Sequence, residues 1–153
     1  MQMGAVRNAI AQAASAVVLP PSAGKLTCTG FTPDAVNEPH FFAGEYSLDF
    51  DKTMRRAGGR GLDVAELTCR VLVGRQDDET SQRTLDALLS GSGPASLKTA
   101  IEAARGAPGE YALGGLADDF HVMRIQGYRW YEHQGTQYVG AELAIKIIGE
   151  GSA

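Results

Sequence analysis

Residues 64–73 read Val-Ala-Glu-Leu-Thr-Cys-Arg-Val-Leu-Val. Successive side chains of a strand point to opposite faces, so Ala65, Leu67, Cys69, Val71 and Val73 make one wholly apolar face. Val64, Glu66, Thr68, Arg70 and Leu72 make a mixed one. The pattern predicts a strand covered by helices on its inner face and partly wet or interface-forming on its outer face. Thr136–Ile148 repeats it, with Val139, Ala141, Leu143, Ile145 and Ile147 against Tyr138, Gly140, Glu142, Ala144, Lys146 and Ile148. This second run reads as the return arm of a C-terminal hairpin over 120–148. Its outgoing arm has strand segments at Phe120–Ile125 and Tyr128–Tyr131, a bulge-like interruption near Gly127, and a loop at Glu132–Gly135.

On the N-terminal side, Leu26–Phe31 and Phe41–Phe50 are strand-compatible. Val6, Ala9, Ile10, Ala13 and Val17 recur at three- and four-residue spacing and predict a helix over 4–18, stopped by Pro20-Pro21. Thr80–Leu89 reads as a second helix, with Thr84, Leu85, Leu88 and Leu89 on one side and Asp77, Asp78 and Glu79 at its positive end. A third is predicted to start at Pro94, with Leu97, Ala100, Ile101 and Ala104 as its stripe. The order predicts one α+β domain over residues 1–153, an antiparallel or mixed β-sheet packed against two or three α-helices.

At 153 residues and 44% apolar composition the chain has material for a real core, which excludes general disorder. A net charge of −4 argues against a surface that grips nucleic acid all over, while leaving room for a local basic loop. Cys28 and Cys69 form no CxxC pair, so a thiolate-rich zinc site is excluded, and both are expected as buried free thiols. Met1–Leu19 has no basic leader ahead of its apolar part, and no run approaches the ~20 residues a membrane helix needs. A soluble protein made in the cytoplasm, with no membrane partner, is expected.

Catalytic signatures are sparse. His40, His121 and His133 lack compact metal-ligand spacing. A small metal-dependent or acid–base enzyme would have to assemble His121, His133, Asp118 and Asp119 through sheet pairing, and this is the distant reading. Asp77-Asp78 and Asp118-Asp119 are explained more cheaply as helix-start or loop-capping charge. Gly58-Gly59-Arg60-Gly61 lacks the Lys-Ser/Thr of a phosphate loop, and no GxSxG elbow occurs. No catalytic, metal-binding or cofactor-binding residue is expected. Two constellations remain. Lys52, Arg55, Arg56 and Arg60 lie in or beside the glycine-rich loop 54–61, which reads either as a solvated loop or as a basic loop touching a phosphate backbone or an acidic partner. Tyr128, Trp130, Tyr131 and Tyr138 concentrate aromatics in the hairpin, where some pack across strands and one is expected to mark a subunit interface.

A resemblance runs through the same segments. Phe50-Asp51-Lys52-Thr53-Met54, Gly59-Arg60-Gly61-Leu62-Asp63, Leu67-Thr68-Cys69-Arg70-Val71-Leu72-Val73, Gln82-Arg83-Thr84-Leu85-Asp86 and Leu89-Ser90-Gly91-Ser92-Gly93 come first. Gly127-Tyr128-Arg129-Trp130-Tyr131 and Tyr138-Val139-Gly140-Ala141-Glu142-Leu143 follow. In this order the chain resembles the small tail-terminator proteins of long-tailed, siphovirus-like bacteriophages infecting actinobacteria, over most of residues 1–149. The resemblance implies a tail-terminator-like fold of helices on an antiparallel sheet and a structural rather than catalytic activity. Six copies would form a homo-hexameric ring on the last tail-tube ring, stop tube growth and offer a surface to the head-completion, or stopper, protein. Double-stranded DNA would pass through the channel, and the protein would sit in the virion at the head–tail junction after assembly in the host cytoplasm. No cofactor is implied. Lys52, Arg55, Arg56 and Arg60 become the candidate channel or partner-contact residues, and Tyr128, Trp130, Tyr131 and Tyr138 the candidate subunit-interface residues. The nearest alternative within this reading is another neck component, a stopper or a tube-related ring protein.

Overall fold

A computed structural model describes residues 1–50, 61–75 and 79–150. Among them a single five-stranded mixed sheet carries three α-helices on one face. The strands are β1 (Thr27–Thr29), β2 (His40–Asp49), β3 (Leu62–Arg75), β4 (Asp119–His133) and β5 (Thr136–Glu150). Their order across the sheet is β1-β2-β3-β5-β4, with β1 parallel to β2 and every other pair antiparallel. The helices are α1 (Met3–Ala14), α2 (Glu79–Leu89) and α3 (Leu97–Glu102).

The alternation at 64–73 sits in the middle of the sheet. Ala65, Leu67, Cys69 and Val71 are fully buried, and Val139, Ala141, Leu143, Ile145 and Ile147 of β5 lie beside them on the same face. Met3, Val6, Ile10 and Ala14 of α1, Leu85 and Leu88 of α2, and Leu97 and Ile101 of α3 close that face into one core. Both cysteines are free; Cys69 is buried and Cys28 half-buried. Burial pushes the Cys28 thiol up to about 11 against a slight opposing pull from Lys25, and burial raises Cys69 further still.

The ends of α1, α3 and the central strand differ from expectation, the helices because other hydrogen bonds replace helical ones and the strand because its partner is longer. The first helix ends at Ala14, not at 18. Ser15 turns its hydroxyl onto the Gln12 carbonyl (2.5 Å), and the Val18 amide donates to the Pro94 carbonyl (2.9 Å). Pro94 therefore anchors the preceding turn instead of opening α3. That helix starts after Ser96, whose hydroxyl accepts from the Thr99 amide (3.2 Å) and donates to the Ser90 carbonyl (2.5 Å). The central strand runs beyond 64–73 at both ends, because β5 pairs with it from Leu62 to Arg75.

Among the described residues the opposite face of the sheet carries no α-helix. At one end the segment 30–39 lies over it, and Val36 packs on the cluster of Phe42, Leu72 and Tyr131, as Tyr138 does from β5. The rest presents Glu66, Thr68 and Arg70 of β3 beside Glu142, Ala144 and Lys146 of β5. This is the mixed outer face that the alternation predicted.

Candidate functional site

The β4–β5 hairpin turns on Gln134 and Gly135, at φ of 51° and 81°, the paired positive values a tight two-residue turn requires. The β4–β5 register breaks twice, between Val122 and Arg124 and between Gln126 and Arg129. The second break is the expected bulge. Gly127 takes φ 62°, and the Tyr131 hydroxyl donates to its carbonyl (2.5 Å).

Beyond the bulge the hairpin aromatics divide between the two faces. Trp130 stands opposite Val139 on the helix side, and Tyr131 stands opposite Tyr138 on the outer side. Tyr131 is buried and Tyr138 half-buried, so both serve the outer apolar cluster. Trp130 is 58% exposed and Tyr128 47%, a partly uncovered strip of β4. Ile125 belongs to the same uncovered strip. Burial, and after it the charge of Asp86 on α2, raise the Tyr128 phenol above its ordinary value. Of the four aromatics, Trp130 is thus the most exposed, Tyr128 is half-exposed with its phenol engaged by Asp86 of α2, and Tyr131 and Tyr138 are committed within the chain.

Sequence reasoning missed the polar group built around Tyr131. Arg70 Nη2 donates to Glu142 Oε2 at 3.1 Å, and Arg129 Nη2 lies 4.0 Å from Glu142 Oε1. The two guanidinium carbons stand 4.4 and 4.8 Å from the centre of the Tyr131 ring. Two cations therefore share one carboxylate and one aromatic ring on an otherwise open sheet face. Arg70 Nε is buried with no hydrogen-bond partner. The available signal was weak: Arg70 and Glu142 are opposite charges in the outer phases of two alternating runs, and only the register places them side by side.

The enzyme constellation is not assembled. His121 and His133 occupy the two ends of one strand, twelve residues apart, which is roughly 40 Å of extended chain. His121 is exposed, while the His133 ring packs near Phe42 and its Nε2 donates to the Pro33 carbonyl (2.8 Å). Asp119 takes a two-pronged contact from Arg105 (2.9 and 3.0 Å), which holds its carboxyl below the usual range. Asp118 lies beside it in a cleft of about 690 Å³ walled by Glu102, Arg105, Glu110 and the Gly106–Gly109 turn. Glu102 in turn accepts from Lys98 (2.8 Å) and the Val122 amide (3.2 Å). Burial pushes the Glu102 carboxyl up, but these donors outweigh it and leave it lowered. Among the described residues no group of three or more His, Cys, Asp or Glu is placed to hold a metal ion, and no helix is long and apolar enough to cross a membrane. Lys52, Arg55, Arg56 and Arg60 lie outside the described residues.

No model of a known protein family matches the chain, and no curated protein matches it.

Proposed function

We propose that this protein is a tail terminator: a structural virion protein whose six copies close into a ring on the tail tube, end its growth and receive the head-completion protein. The reading comes from the ordered sequence resemblance. The observation that carries it furthest is the partly exposed strip of Ile125, Tyr128 and Trp130 on edge strand β4. A monomer gains nothing from leaving an indole in water, whereas Trp and Tyr supply much of the binding energy of subunit contacts. Cyclic symmetry would bury this strip once per subunit and close the ring without leaving a growing end around it.

Capping needs two unlike ring faces. One matches the last tube ring; the other must not reproduce the face on which tube rings stack, or growth would continue. The basic segment Lys52–Arg60 is the proposed contact with DNA in the channel or with the adjoining ring, and no cofactor enters this activity.

The test is deletion of the gene in its phage, followed by negative-stain electron microscopy. Tails of uncontrolled length separated from filled heads support the proposal. Tails of normal length beside leaking heads refute it and assign the protein to head completion. Normal, infectious particles refute any neck role.

A further inference from the structure

We propose that His40 is an acid-sensitive latch holding the segment 31–38 over the outer face of the sheet, and that its protonation releases Asn37 and lifts Val36 off the Phe42–Leu72–Tyr131 cluster. This goes beyond the ring reading and does not depend on it.

The hydrogen bonds define the latch. The Asn37 amide donates to His40 Nδ1 (3.1 Å), so that nitrogen is an acceptor and carries no proton. The proton of the neutral ring is therefore on Nε2, which donates to Thr29 Oγ1 (3.1 Å). Thr29 passes its own hydroxyl proton to the Phe31 carbonyl (2.9 Å). One buried imidazole thus ties down the segment near both of its ends. Protonation adds a hydrogen to Nδ1, which then faces the Asn37 N–H as donor against donor. The Thr29 bond survives that change and the Asn37 bond does not. Val36, next to Asn37, is the residue by which the segment packs on the apolar cluster.

A second histidine holds the segment by the opposite kind of bond. His133 donates from Nε2 to the Pro33 carbonyl, a bond that a charged ring keeps. Both rings lean on Phe42, with centroids 5.8 and 6.2 Å away. Acid therefore opens the Asn37 end while the Pro33 end stays attached. Among the described residues the surroundings offer His40 no compensating carboxylate. From β1 it meets Thr27 and Thr29; from β3, Leu72, with Arg70 two pairs along and committed to Glu142. From β4 come His133 and the buried Tyr131, and from β5 Tyr138. In its own segment Asp34 is exposed, and the Glu38 carboxylate lies near Gly74 instead. Burial first, and the charge of His133 second, hold His40 below the ordinary 6.5. The latch is closed at neutral pH and gives way only in acid.

The experiment is a pH titration of the full-length protein by NMR, reading the imidazole nitrogens of His40 together with hydrogen exchange at the Asn37 amide. At neutral pH the proton is expected on Nε2 alone. Between pH 7.5 and 5.0 the Asn37 amide should lose protection, after correction for intrinsic exchange, by up to tenfold per pH unit below the pKa of His40. The Val71 amide, in the central strand, should hold its protection. His40→Gln should abolish the pH response, and His133→Gln should keep it but move it to higher pH. A proton on Nδ1 at neutral pH, an Asn37 amide indifferent to acid in the wild type, or an undiminished response in His40→Gln would each overturn the proposal.

Discussion

Replacing Gly140 with alanine tests whether the site end of the sheet is held by backbone contact. Gly140 pairs with Leu72 in the centre of the sheet and has an ordinary φ, so alanine there costs nothing in backbone conformation. Space is the obstacle. An added Cβ would lie 2.7 Å from Leu72 Cδ2 and 3.3 Å from Tyr131 Cδ2, with the Val71 carbonyl oxygen nearer than either. Ordinary contact begins at 3.4 Å, so the Leu72 methyl alone must retreat by 3.4 − 2.7 = 0.7 Å. Leu72 has rotamers with which to retreat. The Val71 oxygen belongs to β3 and moves only if the two central strands separate. Overpacking of this kind costs about 1–3 kcal/mol, and a rigid backbone partner argues for the upper end. For a chain of this length, about 3 kcal/mol lowers Tm by roughly 6–12 °C. Urea denaturation gives the free energy and calorimetry the midpoint. Gly4→Ala is the companion variant: no atom lies within 4 Å of its added Cβ, and alanine in helix α1 should stabilise by up to about 1 kcal/mol. A Gly140→Ala protein within about 0.5 kcal/mol of wild type would refute the steric argument and the strand spacing behind it.

Trp130→Ala should leave Tm nearly unchanged, within about 0.5 kcal/mol as for other exposed positions, yet abolish ring assembly on tail tubes. Because Trp130 is the only tryptophan of the chain, a blue shift of wild-type emission on assembly reads the same contact directly. Arg7→Met should destabilise by about 1–3 kcal/mol in urea melts, because Arg7 Nη2 donates to the Ala43 carbonyl (3.0 Å) where the β2–β3 register breaks, and that oxygen would lose its donor. Alkaline stability should decline from about pH 9 upward. The unfolded Cys28 thiol ionises near 9.0 but the folded one only at about 11, so the folded state holds the extra proton and loses its advantage as pH rises between those values. Cys28→Val should flatten that part of the pH–stability profile, and an unchanged slope would count against the assignment.

Local pattern carried the parts of this fold that local physics determines. The 64–73 alternation announced a strand buried on one side because a period of two has no other economical meaning beside helices of period three to four. The bulge was legible from Gly127 itself, an isolated glycine interrupting a strand pattern. Helix ends were harder. Val17 fits the helical stripe, but the Val18 amide is spent on Pro94, a partner more than seventy residues away that no window around residue 14 contains. Pro94 suits a helix start by residue type, and only the Ser96 hydroxyl's bonds to Thr99 and Ser90 place the start of α3 after Ser96.

The same distinction separates the aromatic strip from the polar features. Trp130 could be singled out from the sequence because its residue type alone is informative: an indole is a large apolar surface wherever it points. Arg70, Glu142 and His40 are ordinary residue types whose meaning is positional. Arg70 becomes half of a two-guanidinium clamp only when β3 and β5 pair in register and β4 adds Arg129 across Tyr131. His40 becomes a latch only because β1 runs parallel to β2 and the segment between them folds back over the sheet, bringing Thr29 and Asn37 to its two nitrogens. A parallel pair joined by a short connection forces that segment to cross one face of the sheet, since the chain must return to the starting end before it can run the same way again. The helices fill the inner face, so the connection lies on the outer one. Its cover over Phe42, Leu72 and Tyr131 follows from the topology, and the acid sensitivity follows from placing its single buried imidazole where an amide donor meets Nδ1.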